Sequence, residues 1–223
     1  MLFGVVYLLS TLITIRADEI SDLLGQAKDA YEKKNYPQST QLIHKALGGI
    51  RKIISSQIME FLPDEIEGWS RSAPTSSLDT GESIGVISSQ NYSVEVKYSD
   101  SKQNQQVSVT ISNIAHIVQI AKAGLELYKN PYFQKMQKER QTDEKIETLN
   151  VQGFEGAKTT HTKSKRHEIV LFYQDLMIQI RGTGMEDPTR LDVFTNAVNF
   201  EGLKDFSKEI TQNEEKPADK PEV

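Results

Sequence analysis

The chain has 223 residues, 26 Lys+Arg against 31 Asp+Glu for a net charge of −5, and no Cys. That charge argues against nucleic acid as a partner. The missing thiols exclude a disulfide framework, thiolate metal ligation and lipid attachment through an amino-terminal Cys.

Residues 2–15 form an apolar run that stops at Ile15-Arg16-Ala17 and gives way to Asp18-Glu19. About fourteen residues rise only ~21 Å as a helix, short of the roughly 30 Å hydrocarbon core, so residues 1–17 read as a cleavable signal peptide. An uncleaved amino-terminal anchor is the alternative, and in both cases the body lies outside the cytosol. Export without Cys points to a bacterial periplasmic or secreted protein, with no stable transmembrane insertion after cleavage.

Residues 18–61 read as a helical hairpin. From Ile20, the positions Leu23, Leu24, Ala27, Ala30 and Tyr31 recur at helical spacing. Lys33 and Lys34 complement the carboxyl-end dipole, and Asn35-Tyr36-Pro37 supplies a break with Pro in the first turn of the next helix. The second helix carries Leu42, Ile43, Ala46, Leu47, Ile50, Ile53, Ile54 and Ile58 to about Phe61. The stretch from Ala27 through Tyr36 to Leu47 resembles one tetratricopeptide unit. Such units need neighbours to bury their faces, which favours a lone hairpin packed on the next domain over docking of a partner's segment.

Residues 62–210 read as an α+β domain, an antiparallel β-sheet flanked by helices. Leu62-Pro63 ends the long helix and Gly68-Trp69 follows, with Trp69, the only Trp, expected as a core anchor. Strands are expected over residues 83–88, 92–98 and 107–111, the last two as a hairpin with one buried face. A helix starting near Asn113 is expected to turn Ile117, Ile120, Ala121, Gly124 and Leu125 towards the core, and Asn130-Pro131 interrupts it. Strands resume over 146–151 and 154–160, joined at Gly153. A tight hairpin over 168–173 and 176–181 follows, at the centre of the sheet. Gly182-Thr183-Gly184 ends the sheet. Pro188 opens a last helix carrying Leu191, Phe194, Ala197 and Val198, with a short extension to about Ile210, and residues 211–223 read as a disordered tail.

Taken together, Leu62-Pro63 with Gly68-Trp69, the hairpin ending in Val107 to Ser112, Asn130-Pro131, the Val151-Gln152-Gly153-Phe154-Glu155-Gly156 turn, the stretch from Glu168 to Arg181, and Ala197-Val198-Asn199-Phe200 with Leu203 resemble an uncharacterised family of exported bacterial proteins. The resemblance covers residues 61–206. Its sheet is similar to the Mog1/PsbP-like fold group, whose members mostly act as binding or assembly accessories. This implies a fold and an address, but transfers no catalytic residues. The helix after Asn113 is longer and more basic than the family's pattern, and the amino-terminal hairpin has no counterpart in it.

Residues with chemical potential are sparse. With the 162–166 turn centred on Ser164, His161 and His167 face one another across two strands, near enough to share a metal. No carboxylate in the turn completes a ligand set, so neither metal nor cofactor is expected. Lys158, Lys163, Lys165 and Arg166 join the two His in a basic hairpin tip, a possible surface for an anionic head group, glycan or protein patch. An exposed, charge-protected strand end is the plainer reading. No Gly-x-Ser-x-Gly elbow, His-Glu-x-x-His helix or phosphate-binding loop occurs. The expected function is a non-enzymatic protein-binding or assembly-accessory module. The alternatives are a small-ligand or lipid-binding protein with a pocket between sheet and helix, and a hydrolase with a dispersed active site.

Overall fold

Helix α1 (Phe3–Glu32) takes in both the apolar leader and the first arm of the hairpin. The hairpin expected over 18–61 thus shares its first helix with the leader, because no Gly or Pro between Ile15 and Ile20 interrupts it. The computed structural model describes residues 3–66, 68–72, 75–76, 92–100, 102–139 and 143–214. The strand expected over 83–88 lies outside the described residues. The chain divides into two units, Met1–Gln57 and Ile58–Val223.

In the first unit the chain reverses after α1 and enters α2 (Tyr36–Met59). Lys34 adopts the left-handed conformation (φ 59°), and the Asn35 backbone N–H donates to the Ala30 carbonyl at 2.8 Å. Small residues let the helices approach closely. Ala27, Ala30 and Leu42 are buried together with Leu23 against them, and Ser39 Oγ donates to the Ala27 carbonyl at 2.9 Å. Tyr31 and Tyr36 are exposed and meet edge to face, with centroids 5.6 Å apart. No described helix is long and apolar enough to cross a membrane.

The second unit takes the last turn of α2 with it, where Ile58 is fully buried. Its α+β sheet has nine described strands. Short strands β1 (Glu65–Ile66), β2 (Trp69–Arg71) and β3 (Thr75–Ser76) precede the hairpin β4 (Ser93–Asp100) and β5 (Gln105–Ser112). Helices α3 (Ala115–Lys129) and α4 (Pro131–Glu139) follow, then β6 (Glu144–Val151), β7 (Phe154–His161), β8 (Arg166–Tyr173) and β9 (Leu176–Thr183). Helices α5 (Arg190–Ala197) and α6 (Phe200–Glu214) close the described chain, so the helix extends through the first four positions of the expected tail. Strand order is β1-β2-β4-β5-β9-β8-β7-β6, all antiparallel, with β3 also pairing β4. The β8–β9 hairpin therefore lies inside the sheet, where its long apolar runs can be buried on both faces.

One face of the sheet is filled by α5 and α6. Val96, Val109, Ile180 and Ile169 line up across four strands in consecutive register, all buried. Aromatic rings seal this face. Phe194 stands edge to face against both Trp69 (5.0 Å) and Tyr98 (5.3 Å), and Phe154 meets Phe200 at 4.9 Å. Trp69 is thus the core anchor expected of it. Gly182 lets α5 approach, since a Cβ there would lie 2.2 Å from Met185 Sδ and 2.9 Å from Leu191 Cδ2.

The Leu62-Pro63 motif works through its carbonyls. Tyr98 Oη donates to the Pro63 carbonyl at 2.7 Å, and the Arg71 guanidinium reaches the Leu62 and Pro63 carbonyls at 3.3 Å and the Asp64 carboxylate at 2.6 Å. One residue earlier, the Asn199 backbone N–H donates to the Phe61 carbonyl at 2.9 Å. This clasp ties the end of α2 to the sheet and to α6.

Candidate functional site

The opposite face is covered by α3, and only in part. Val118 and Leu125 are buried against Ala157, Phe172 and Met177, with Ala121, Tyr128, Ile146 and Val170 packed around them. The expected core-facing set is corrected here. Ile117 is 39% exposed and Ile120 is 73% exposed, while Val118, one position round the helix, takes the core. Helix α3 carries two neighbouring apolar stripes, 117/120/124/127 and 118/121/125/128. The second anchors it, because β-carbons at that angle meet the floor of β7, β8 and β9.

Between the unused stripe and the sheet lies a cavity of about 410 Å³. Ile117, Ile120 and Gly124 form its α3 wall, and Val170, Phe172 and Met177 its apolar floor. A Cβ on Gly124 would meet nothing within 4 Å, so the missing side chain leaves room open. The far side is polar. Cross-strand register puts Thr159 beside Glu168, and Glu168 beside Arg181. Arg181 Nη2 donates to the Glu168 carboxylate at 3.0 Å, and Gln179 Nε2 donates to the same oxygen. Burial pushes the Tyr128 hydroxyl pKa above its ordinary value, and the negative charges of Glu144 and Glu168 push the same way.

A second hollow of about 420 Å³ sits at the tips of the β6–β7 and β8–β9 hairpins. It is lined by charge, with Lys122, Glu126 and Glu155 around Tyr173. Lys122 Nζ donates to the Gln174 carbonyl. Lys129 Nζ lies 2.9 Å from Glu155 and 3.0 Å from Glu126, and these hydrogen bonds hold its ammonium pKa above the usual lysine range. Leu125 and Phe172 line both hollows and form the wall between them.

The six residues of the expected basic tip do not form one surface. The β7–β8 turn closes on the pair His161–Arg166, with Thr160 opposite His167. Lys165 is left-handed (φ 51°) and its backbone N–H reaches the Thr162 carbonyl at 3.3 Å, which makes a four-residue turn and shifts the register by one. The expected facing of His161 and His167 is overturned by that shift, which sends the two rings to opposite faces. His167 is buried under α5, with Nε2 2.9 Å from the Met185 carbonyl and no partner on Nδ1. His161 Nε2 lies 3.7 Å from Glu144 on the α3 face.

Lys158 also points to the α5 face, where Asp192 holds its ammonium at 2.7 Å. Lys165 pairs with Glu186 at 2.6 Å, and that bond lowers the Glu186 pKa. The Lys163 backbone N–H donates to Asp143 at 2.8 Å, and Arg166 is exposed at the turn. Lys158 and Lys165 are therefore each matched by a neighbouring carboxylate. Among the described residues, no group of three His, Asp or Glu could hold a metal ion.

Comparison of this chain with protein-family models, with curated proteins and with solved structures finds no match.

Proposed function

We propose that this chain is an exported, non-catalytic accessory that works by binding, and that an apolar ligand occupies the cleft beside α3. One observation carries the reading: a cavity of about 410 Å³ with an apolar floor, overhung by an isoleucine that is 73% exposed. Its size falls within the range of roughly 300–1,000 Å³ typical of small-molecule sites, and apolar walls with a few polar groups are the usual composition of such sites. Leaving Ile117 and Ile120 in water forgoes hydrophobic stabilisation that an occupant would restore. The apolar leader supports export, and an antiparallel sheet with helices on both faces supports kinship with the Mog1/PsbP-like group. The one acid at the cleft, Glu168, is held by Gln179 and Arg181, which favours binding over catalysis.

Thermal unfolding of the full chain with a neutral apolar probe such as N-phenyl-1-naphthylamine tests this. A ligand at 100 times its Kd stabilises the folded state by about 2.7 kcal/mol, so a rise of several degrees in Tm is expected. An unchanged Tm up to the solubility of the probe refutes the reading.

A second reading has its own support. The exposed stripe continues beyond the cleft to Leu127, 56% exposed, and Tyr132 on α4 is 72% exposed. A protein partner of the envelope would cover that wider surface. Crosslinking in intact cells followed by mass spectrometry reports such a partner, and reports the mature amino terminus in the same experiment. Recovery of the chain without specific neighbours counts against this version.

A further inference from the structure

The residues lining the cleft include one acid, Glu168, and no Lys, Arg or His. Arg181, the cation that pairs with Glu168, is half exposed and stands outside the lining. Polar groups that an occupant would meet are the Thr159 and Tyr128 hydroxyls, the Gln179 amide and the Glu168 carboxylate. Glu144, next to His161 on the same face, adds a second negative charge near Tyr128. A carboxylate or phosphate pushed into this end would lose its water without gaining a cation, and would face Glu168. A hydroxyl or ammonium would donate a hydrogen bond to the acceptors already there.

We infer that the cleft selects single-chain amphiphiles whose polar end is uncharged or cationic, an alkanol or alkylammonium, and rejects the matching carboxylates. The inference rests on the reading of the cleft as an apolar ligand site and adds the chemistry of the head. The alkyl chain lies along Ile117, Ile120, Val170 and Met177, and the head meets Thr159 and Glu168. Its volume of about 410 Å³ suits one chain rather than a two-tailed lipid.

Displacement of N-phenyl-1-naphthylamine from the full chain near neutral pH tests the inference, with decan-1-ol, decylammonium and decanoate as competitors. The alcohol and the ammonium are expected to displace the probe at concentrations about tenfold below those decanoate needs, since a carboxylate gives up its water at an end whose lining holds no cation. Glu168→Gln removes the negative charge there and leaves Arg181 unpaired, so decanoate should improve by about tenfold while the alcohol changes little. Gly124→Leu, whose Cβ would meet no neighbour, places a branched side chain on the α3 wall and should abolish probe binding with no loss of Tm, which separates blocked binding from misfolding.

Equal displacement by all three competitors overturns the head-group selection and leaves the ligand site standing. Wild-type chain that fails to bind the probe, or Gly124→Leu chain that binds it undiminished, removes both.

Discussion

The two faces of the sheet are built to different standards. Beneath α5 and α6, rings interlock at 4.9 to 5.3 Å and Gly182 brings a helix close enough that one added carbon would collide. Beneath α3, a single stripe of contacts holds the helix, a glycine stands where an added Cβ would meet nothing, and Ile120 remains largely in water with Ile117 partly so. The same chain closes one face and leaves the other hollow. Stability and vacancy are thus segregated onto opposite sides of one layer, so the hollow face can be altered without loss of the fold.

The largest effect that would break this contrast is on the filled face. Phe194→Ala removes the ring between Trp69 and Tyr98 and should cost about 3–5 kcal/mol in urea denaturation. A cost below ~1 kcal/mol would mean that this face also relaxes easily. Overpacking comes next. Gly182→Ala places a methyl group against Met185 and Leu191 and should destabilise by about 1–3 kcal/mol.

On the hollow face the sign reverses. Gly124→Ala puts a methyl group into open space on a helix and should stabilise by about 0.8–1 kcal/mol, read as an upward shift of Tm. Ile120→Ser should change stability by less than ~0.5 kcal/mol, since the side chain is already mostly in water, and should weaken binding of the apolar probe.

The smallest effect is seen in acid, at the start of α5. Asp187 accepts hydrogen bonds from the Thr189 hydroxyl at 2.7 Å and the Thr189 backbone N–H at 2.9 Å, which hold its carboxyl below the usual carboxylate range. A depressed carboxylate adds stability above its unfolded pKa and loses it as pH falls through the folded one. Asp187→Asn should therefore lose this small contribution at neutral pH and flatten the acid limb below about pH 4, where the two curves converge. A variant with a changed slope above pH 6 would contradict this assignment.

Much of the fold was legible because alternation is hard to mimic by chance. Residues 92–98 and 107–111 alternate cleanly, and they form β4 and β5 with one buried face. The pair 168–173 and 176–181 reads as central because its apolar runs are continuous, and β8 and β9 do lie inside the sheet. Asn130-Pro131 marks the division between α3 and α4, where Asn130 Oδ1 accepts the Tyr132 backbone N–H at 2.9 Å.

The cleft was not legible for a definite reason. Two apolar stripes one residue apart give the same helical period, so the sequence cannot tell which of Ile117 and Val118 turns inward. An excess of apolar positions over those one contact face can use was the available signal. The hairpin tip failed on register. A left-handed Lys165 has no strong sequence mark, yet it decides whether His167 faces His161 or the opposite side of the sheet. Lys158 was read as surface charge, and its alternation with Gly156 and Phe154, both buried, places it instead beneath α5 with Asp192.

The burial of Ile58 has a practical consequence for anyone dissecting the molecule. The seam between the two units falls inside α2, ahead of the point where that helix stops. A cut at residue 62, where the sequence places the start of the α+β domain, would carry off the buried Ile58 and the Phe61 carbonyl that Asn199 donates to. Trimming upstream of Ile58 leaves both with the sheet.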